Sequence, residues 1–128
     1  MSEEAYQKNE KVIIGFIEYL KSNGFGSRTI RLHKSNIELL NDYLGNDETE
    51  FADVDAYEIG SFIRWCIDKW MFNTLSEFIS SLSSIKQLYQ YLQQNGMIKD
   101  IDEIMKVCMD KDNWAKKFNK HENLLGDY

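Results

Sequence analysis

Ser27–Leu44 reads SRTIRLHKSNIELLNDYL and Ser76–Leu92 reads SEFISSLSSIKQLYQYL, and these two stretches decide the fold. Each opens on a serine, a residue type that caps helices by accepting from a free backbone N–H of the first turn. Wound at about 100° per residue, the first stretch places Ile30, Leu32, Ile37, Leu39, Leu40, Tyr43 and Leu44 on one arc. The opposite arc holds Arg28, Arg31, Lys34, Ser35, Glu38 and Asp42. The second gathers Phe78, Leu82, Ile85, Leu88, Tyr89 and Leu92 on one side. Its other side reads Ser80, Ser83, Ser84, Gln87, Gln90 and Gln94, with Glu77 the clear charge. Both are amphipathic helices that need a partner for their apolar faces.

The same period extends outward in both directions. Val12, Ile13, Phe16, Ile17 and Leu20 make a first helix that ends at Asn23-Gly24, where glycine supplies a left-handed cap. Ile59, Phe62, Ile63, Cys66, Ile67 and Trp70 make a third, with Asp53 or Asp55 as N-cap. The acidic connection Asn46–Asp55 is expected to be an exposed loop. The fourth helix stops at Asn95-Gly96, and a last one, over about 99–120, carries Ile101, Ile104, Met105, Cys108, then Trp114 and Phe118 after a polar break. The tail His121–Tyr128 is expected to fray. No strand-like alternation persists, and the chain has no proline to interrupt a helix. The pattern predicts an all-α protein, a single compact bundle of four to five helices forming one domain over residues 1–128.

Composition agrees with a folded, water-exposed module. The chain has 128 residues, 43% hydrophobic and 28% charged, with 3 Trp, 7 Tyr and 7 Phe to fill a core. The start, MSEEAYQKNEK, has no apolar run of the kind a secretory leader needs, and nothing approaches a membrane span. Cys66 and Cys108 fall inside helical apolar patterns without metal-type spacing, which reads as two reduced core thiols in a cytoplasmic protein.

The details of the two deciding stretches resemble the N-terminal core-binding (SAM-like) domain of tyrosine recombinases and phage integrases, the small domain that clamps DNA. Its second helix commonly runs S-x-x-T-I-R-x-Y, and Gly26-Ser27-Arg28-Thr29-Ile30-Arg31-Leu32-His33 is similar. Here His33 stands at the aromatic position, with one residue fewer before Thr29. Its fourth helix commonly ends L-S-A-L-R-x-F-Y-x-F-L, which Leu82-Ser83-Ser84-Ile85-Lys86-Gln87-Leu88-Tyr89-Gln90-Tyr91-Leu92 resembles position by position. Gln94–Ile98 is similar to the exit turn, and Phe16, Tyr19, Leu20, Lys21 and Gly24 fit the end of the first helix. The likeness covers about residues 10–98 and implies the family's helical fold, with an extra helix over 99–120. Three departures stand beside it. Ser80 and Ser81 occupy positions where the family carries cations. Lys99-Asp100-Ile101-Asp102 continues where a proline usually leads to the catalytic domain. The family's catalytic Arg, His, Arg and Tyr belong to that further domain, so recombinase activity is not expected within these 128 residues.

Charge sharpens the functional question. The net charge of −6 is the wrong sign for a protein devoted to gripping phosphates. It is unevenly spread, however. Residues 21–40 hold Lys21, Arg28, Arg31 and Lys34 against Glu38, for +3; residues 41–60 hold seven carboxylates and no cation, for −7. The resemblance implies that Arg28, Arg31 and Lys34 face phosphates from the second helix, with Lys86 the matching cation of the fourth. The competing reading is a solvated polar face in which Arg31 or Lys34 pairs with Glu38 or Ser35. The serine-rich side of the fourth helix also suits close approach of another helix. Lys106, Lys111, Lys116, Lys117 and Lys120 form a second basic cluster, mixed with Asp110 and Asp112, that reads as the wet face of a terminal helix.

Little points to catalysis. His33 falls within an apolar arc and His121 in the tail; no nucleophile–His–acid set, H-E-x-x-H or phosphate loop is present. The run Asp47–Asp55 lacks the spacing and glycine of a calcium loop. No cofactor, metal, membrane or small-molecule substrate is expected. The expected function is a non-catalytic helical module with weak or accessory binding of double-stranded DNA through Arg28, Arg31, Lys34 and Lys86. The alternative is a protein–protein interaction module that kept the fold and lost DNA.

Overall fold

Local chemistry sets the ends of six helices: α1 (Glu3–Ser22), α2 (Ser27–Leu44), α3 (Ala56–Asp68), α4 (Leu75–Gln94), α5 (Asp102–Met109) and α6 (Lys111–Gly126). The structure is a computed structural model that describes residues 3–126, with side-chain surroundings for 4–123; among these residues there is no strand. Gly24 takes φ 82° after α1, and the N–H of Phe25 reaches back to the Leu20 carbonyl at 3.1 Å. Gly96 (φ 71°) ends α4 in the same way, with Met97 N–H on the Leu92 carbonyl at 2.9 Å. Of the two candidate caps for α3, Asp55 is the one used. Its carboxylate accepts from the Glu58 N–H at 2.8 Å while the Glu58 carboxylate accepts from the Asp55 N–H at 3.4 Å.

Neither deciding stretch is capped by its serine. α4 begins one residue earlier, because Thr74 has the extended backbone of a cap and its Oγ1 accepts from the Glu77 N–H at 3.1 Å. α2 is preceded by Gly26, which has no side chain to offer.

α4 lies in the middle of the packing. It touches α1 and α2 on one side and α5 and α6 on the other; α1 packs on α2, and α3 packs on α5 and α6. Phe16, Leu40, Ile59, Phe78, Leu82, Leu88 and Leu92 are fully buried at the centre of one continuous apolar cluster. Each such side chain contributes about 1.5–3 kcal/mol relative to exposure.

Five expectations change. The C-terminal helix is two, broken at Asp110. In an unbroken helix Trp114 and Phe118 would sit about 80° around from Ile104 and Cys108; the break resets the rotation, and all four are buried. The segment after α2 is not an exposed loop. It forms two 3-10 turns, Gly45–Asp47 and Phe51–Asp53, that bury Phe51 and Val54 while their carboxylates stay outside. Leu32 is 44% exposed instead of joining the core, and Trp70 lies past the end of α3. Finally, α6 stays helical through Gly126, with the His121 ring 5.7 Å from that of Trp70; residues 127 and 128 of the expected frayed tail lie outside the described residues.

The new fixed point for the acidic segment is Asn9. Its side chain is 1% exposed; Nδ2 donates to Asn41 Oδ1 (2.9 Å) and the Thr49 carbonyl (3.0 Å), and Oδ1 accepts from the Phe51 N–H (2.9 Å). One amide therefore ties α1, α2 and the connection together.

Candidate nucleic-acid interface

The orientation of α2 is set by polar groups inside the seam with α4. His33, Asn36 and Ser84 are all buried. Ser84 Oγ lies 2.6 Å from His33 Nδ1, accepts from Asn36 Nδ2 at 2.9 Å, and sits 3.2 Å from the Ser80 carbonyl. Buried polar groups cost free energy unless paired, so these contacts admit one rotation of α2 about its axis. The edge of Phe25 closes over the imidazole, with ring centres 5.8 Å apart. Desolvation holds the His33 pKa below its ordinary value, which keeps the ring neutral at pH 7.

With that rotation fixed, Arg28, Arg31 and Lys34 all lie exposed at three-residue spacing along the first half of α2. Among the described residues none of them is in an ion pair, so the expected alternative pairing of Arg31 or Lys34 with Glu38 is not formed. The first-turn N–H groups of α2 receive no side-chain cap. Such a helix start attracts anions. The charges of α2 also run against the helix dipole. Its first turn has no acid and contains Arg28, and its last turn has no base and contains Asp42. Each such placement disfavours the helix by about 0.3–1 kcal/mol. It raises the positive potential where the three cations stand.

Lys86 is not brought to this group. It lies two residues beyond Ser84, about 200° around the helix, and Ser84 points at α2. Its ammonium instead acts on the Cys108 thiol of α5, against the burial that pushes that thiol up to about 12. Ser84 likewise leaves the solvated strip in which the sequence pattern set it, because His33 and Asn36 need its hydroxyl. What remains outside on α4 is Ser80, Ser83, Gln87 and Gln90, half-buried, and Gln94, exposed. Of the two serines standing where cations were expected, Ser81 is 3% exposed and donates to the Phe78 carbonyl, so a lysine there would be forced inward.

Sequence patterning missed Asn9, Asn36 and Asn41. The available signal was positional: Asn36 and Asn41 fall on the arc of His33, Ile37, Leu40 and Leu44, where a merely solvated asparagine has no place. The two thiols are free and buried as the helical pattern anticipated. No described helix is long and apolar enough to cross a membrane.

The module is all-helical, with its basic second helix cross-tied to a long, central fourth helix. Residues 13–96 match the family described as "Phage integrase, N-terminal SAM-like domain", and the chain belongs to that family. The match runs from within α1 to the turn that ends α4, leaving α5 and α6 outside it. No curated protein and no solved structure matches the chain.

Proposed function

We propose that this recombinase-related chain acts as a single helical domain that binds duplex DNA weakly, as an accessory contact and without catalysis. The observation that carries the reading is the start of α2: three unpaired, exposed cations beside a helix N-terminus that no side chain caps. Backbone N–H groups and guanidinium groups together suit phosphates, which fix position without reading sequence. Arg28, Arg31 and Lys34 hold the phosphates; Lys86, on the far side of α4, does not.

Titration of a short duplex at two or more salt concentrations tests this. Three phosphate contacts at about 0.9 released counterions each give a log–log slope near −3. Arg31→Ala with Lys34→Ala flattens it by about 2. Absence of binding at about 50 mM salt, where phosphate contacts are strongest, overturns the reading.

The second reading, a protein-interaction module, draws on the uncharged strip Ser80, Ser83, Gln87, Gln90 and on the net charge of −6. It predicts retention of a protein partner by variants that lack the α2 cations.

A further inference from the structure

The lysines of α6 are exposed, as their pattern predicts, and two of them border a groove. The seam between α3 and α6 opens into a groove of about 310 Å3 lined by Arg64, Ile67, Asp68, Lys117, Lys120 and His121. Three fixed cations meet one carboxylate there, in a chain whose net charge is −6. Among the described residues, the ion pairs all lie elsewhere, on Lys8, Lys21 and Lys106. The Arg64 guanidinium lies back along α3 beside Gly60, 3.3 Å from the Ser61 hydroxyl, at the rim of the groove. Lys117 holds its ammonium 4.9 Å from the centre of the Trp114 ring, an attraction that positions the charge without neutralising it.

An aromatic cluster adjoins the groove through His121. His121 tilts against Trp70, and Trp70 stacks on Phe118 with ring centres 6.0 Å apart and 14° between planes. Trp70 sits at φ 56°, a left-handed cap position that glycine normally fills, with Met71 N–H returning to the Cys66 carbonyl at 2.9 Å. A residue with a Cβ is strained there. Despite its stacking, Trp70 remains 36% exposed.

We infer that this groove binds a nucleotide, with its phosphates among Arg64, Lys117 and Lys120 and its base against Trp70. The cations supply phosphate recognition, the strained and exposed indole supplies a stacking surface, and the volume lies at the small end of ligand sites, about 300–1,000 Å3. None of the groove's lining residues belongs to α2, and no motif in the chain announces the site.

Two-dimensional ¹⁵N NMR of the full chain, titrated with ADP, tests it. The expected result is a saturable shift of the Trp70 indole N–H and of amides around residues 64–68 and 117–121, while the Trp65 indole stays put. Arg64→Gln and Lys120→Gln, both at exposed positions, each weaken ADP at least about tenfold. Lys34→Gln leaves it unchanged, which separates this site from the DNA reading. Inorganic pyrophosphate binds the same amides more weakly than ADP, and Trp70→Leu removes that difference. No saturable shift by about 5 mM ADP, beyond the ~1 mM scale of weak sites, overturns the site. Equal affinity for ADP and pyrophosphate overturns the nucleotide assignment.

Discussion

The hydroxyl of Tyr89, fully buried on α4, donates at 2.8 Å to the carbonyl of Phe51 in the acidic connection. Burial and nearby acidic groups push the phenol well above its ordinary pKa, so it remains a donor across the accessible pH range. The N–H of the same Phe51 is held by Asn9, and both backbone groups of one residue are thereby satisfied by side chains from different helices. Tyr89→Phe leaves that carbonyl with only the longer, 3.3 Å bond from the Val54 N–H, at a cost of about 0.5–1.5 kcal/mol. Urea denaturation checks this as a lower midpoint with an unchanged slope.

Gly15 lies under the hydroxyl of Tyr91, which a β-carbon at position 15 would strike. Tyr91 cannot swing aside freely, because its ring packs on Phe16 and Tyr19 at 5.9 and 5.2 Å. Gly15→Ala is therefore expected to destabilise by about 1–3 kcal/mol through overpacking, despite alanine's better helix propensity. In a Tyr91→Phe background the hydroxyl clash is gone and only the 3.3 Å approach of the ring Cζ remains, so the same substitution costs at least about 1 kcal/mol less. Thermal melts of the four proteins in the cycle check this coupling.

His33 makes stability depend on pH in a defined window. Its folded pKa lies below the ordinary imidazole value, so the unfolded chain takes up a proton first as pH falls. The contribution is complete above about pH 6.5 and is lost as pH drops below it, by up to about 1.4 kcal/mol per unit. Denaturation series between about pH 7.5 and 5 should show wild type losing more stability than His33→Gln. Parallel losses in the two proteins would contradict a neutral, buried imidazole.

Arg28 sets stability against binding. Arg28→Glu places a carboxylate in the first turn of α2, where the dipole favours it, and should raise stability by about 0.3–1 kcal/mol. The same change should weaken duplex binding at low salt and lessen its salt dependence. A variant that gains stability and binds DNA as before would remove Arg28 from the interface.

Much of this molecule was legible because period 3.6 is hard to disguise. The stripe Ile59, Phe62, Ile63, Cys66, Ile67 and that of Phe78, Leu82, Ile85, Leu88, Tyr89, Leu92 are buried as read. Patterning failed where polarity and burial part company. Asn9, Asn36, Asn41 and Ser84 look like surface residues and are interior ones, because each finds a partner that only the tertiary fold supplies. The opposite failure is Leu32, apolar and exposed at the margin of its arc. Within the candidate site, Arg28, Arg31 and Lys34 could be grouped by spacing along one helix. Lys86 could not be placed against them, since its side of α4 is decided by what Ser84 needs.

The arrangement along α2 has a consequence for motion in solution. Eighteen helical residues span about 27 Å, with three cations in the first half and, beyond the far end, an acidic segment that Asn9 secures to the helical frame. Charge separated over that distance and locked to a rigid frame experiences a torque near any polyanion. On the proposed DNA reading, a polyanion would turn the molecule before contact, presenting the start of α2 and swinging Asp47, Glu48 and Asp53 away. Tyr89 and the buried Phe51 and Val54 share the anchoring with Asn9, so Asn9→Ala combined with Tyr89→Phe is what would loosen the acidic segment, and encounters would lose that alignment first as a slower association rate at low salt.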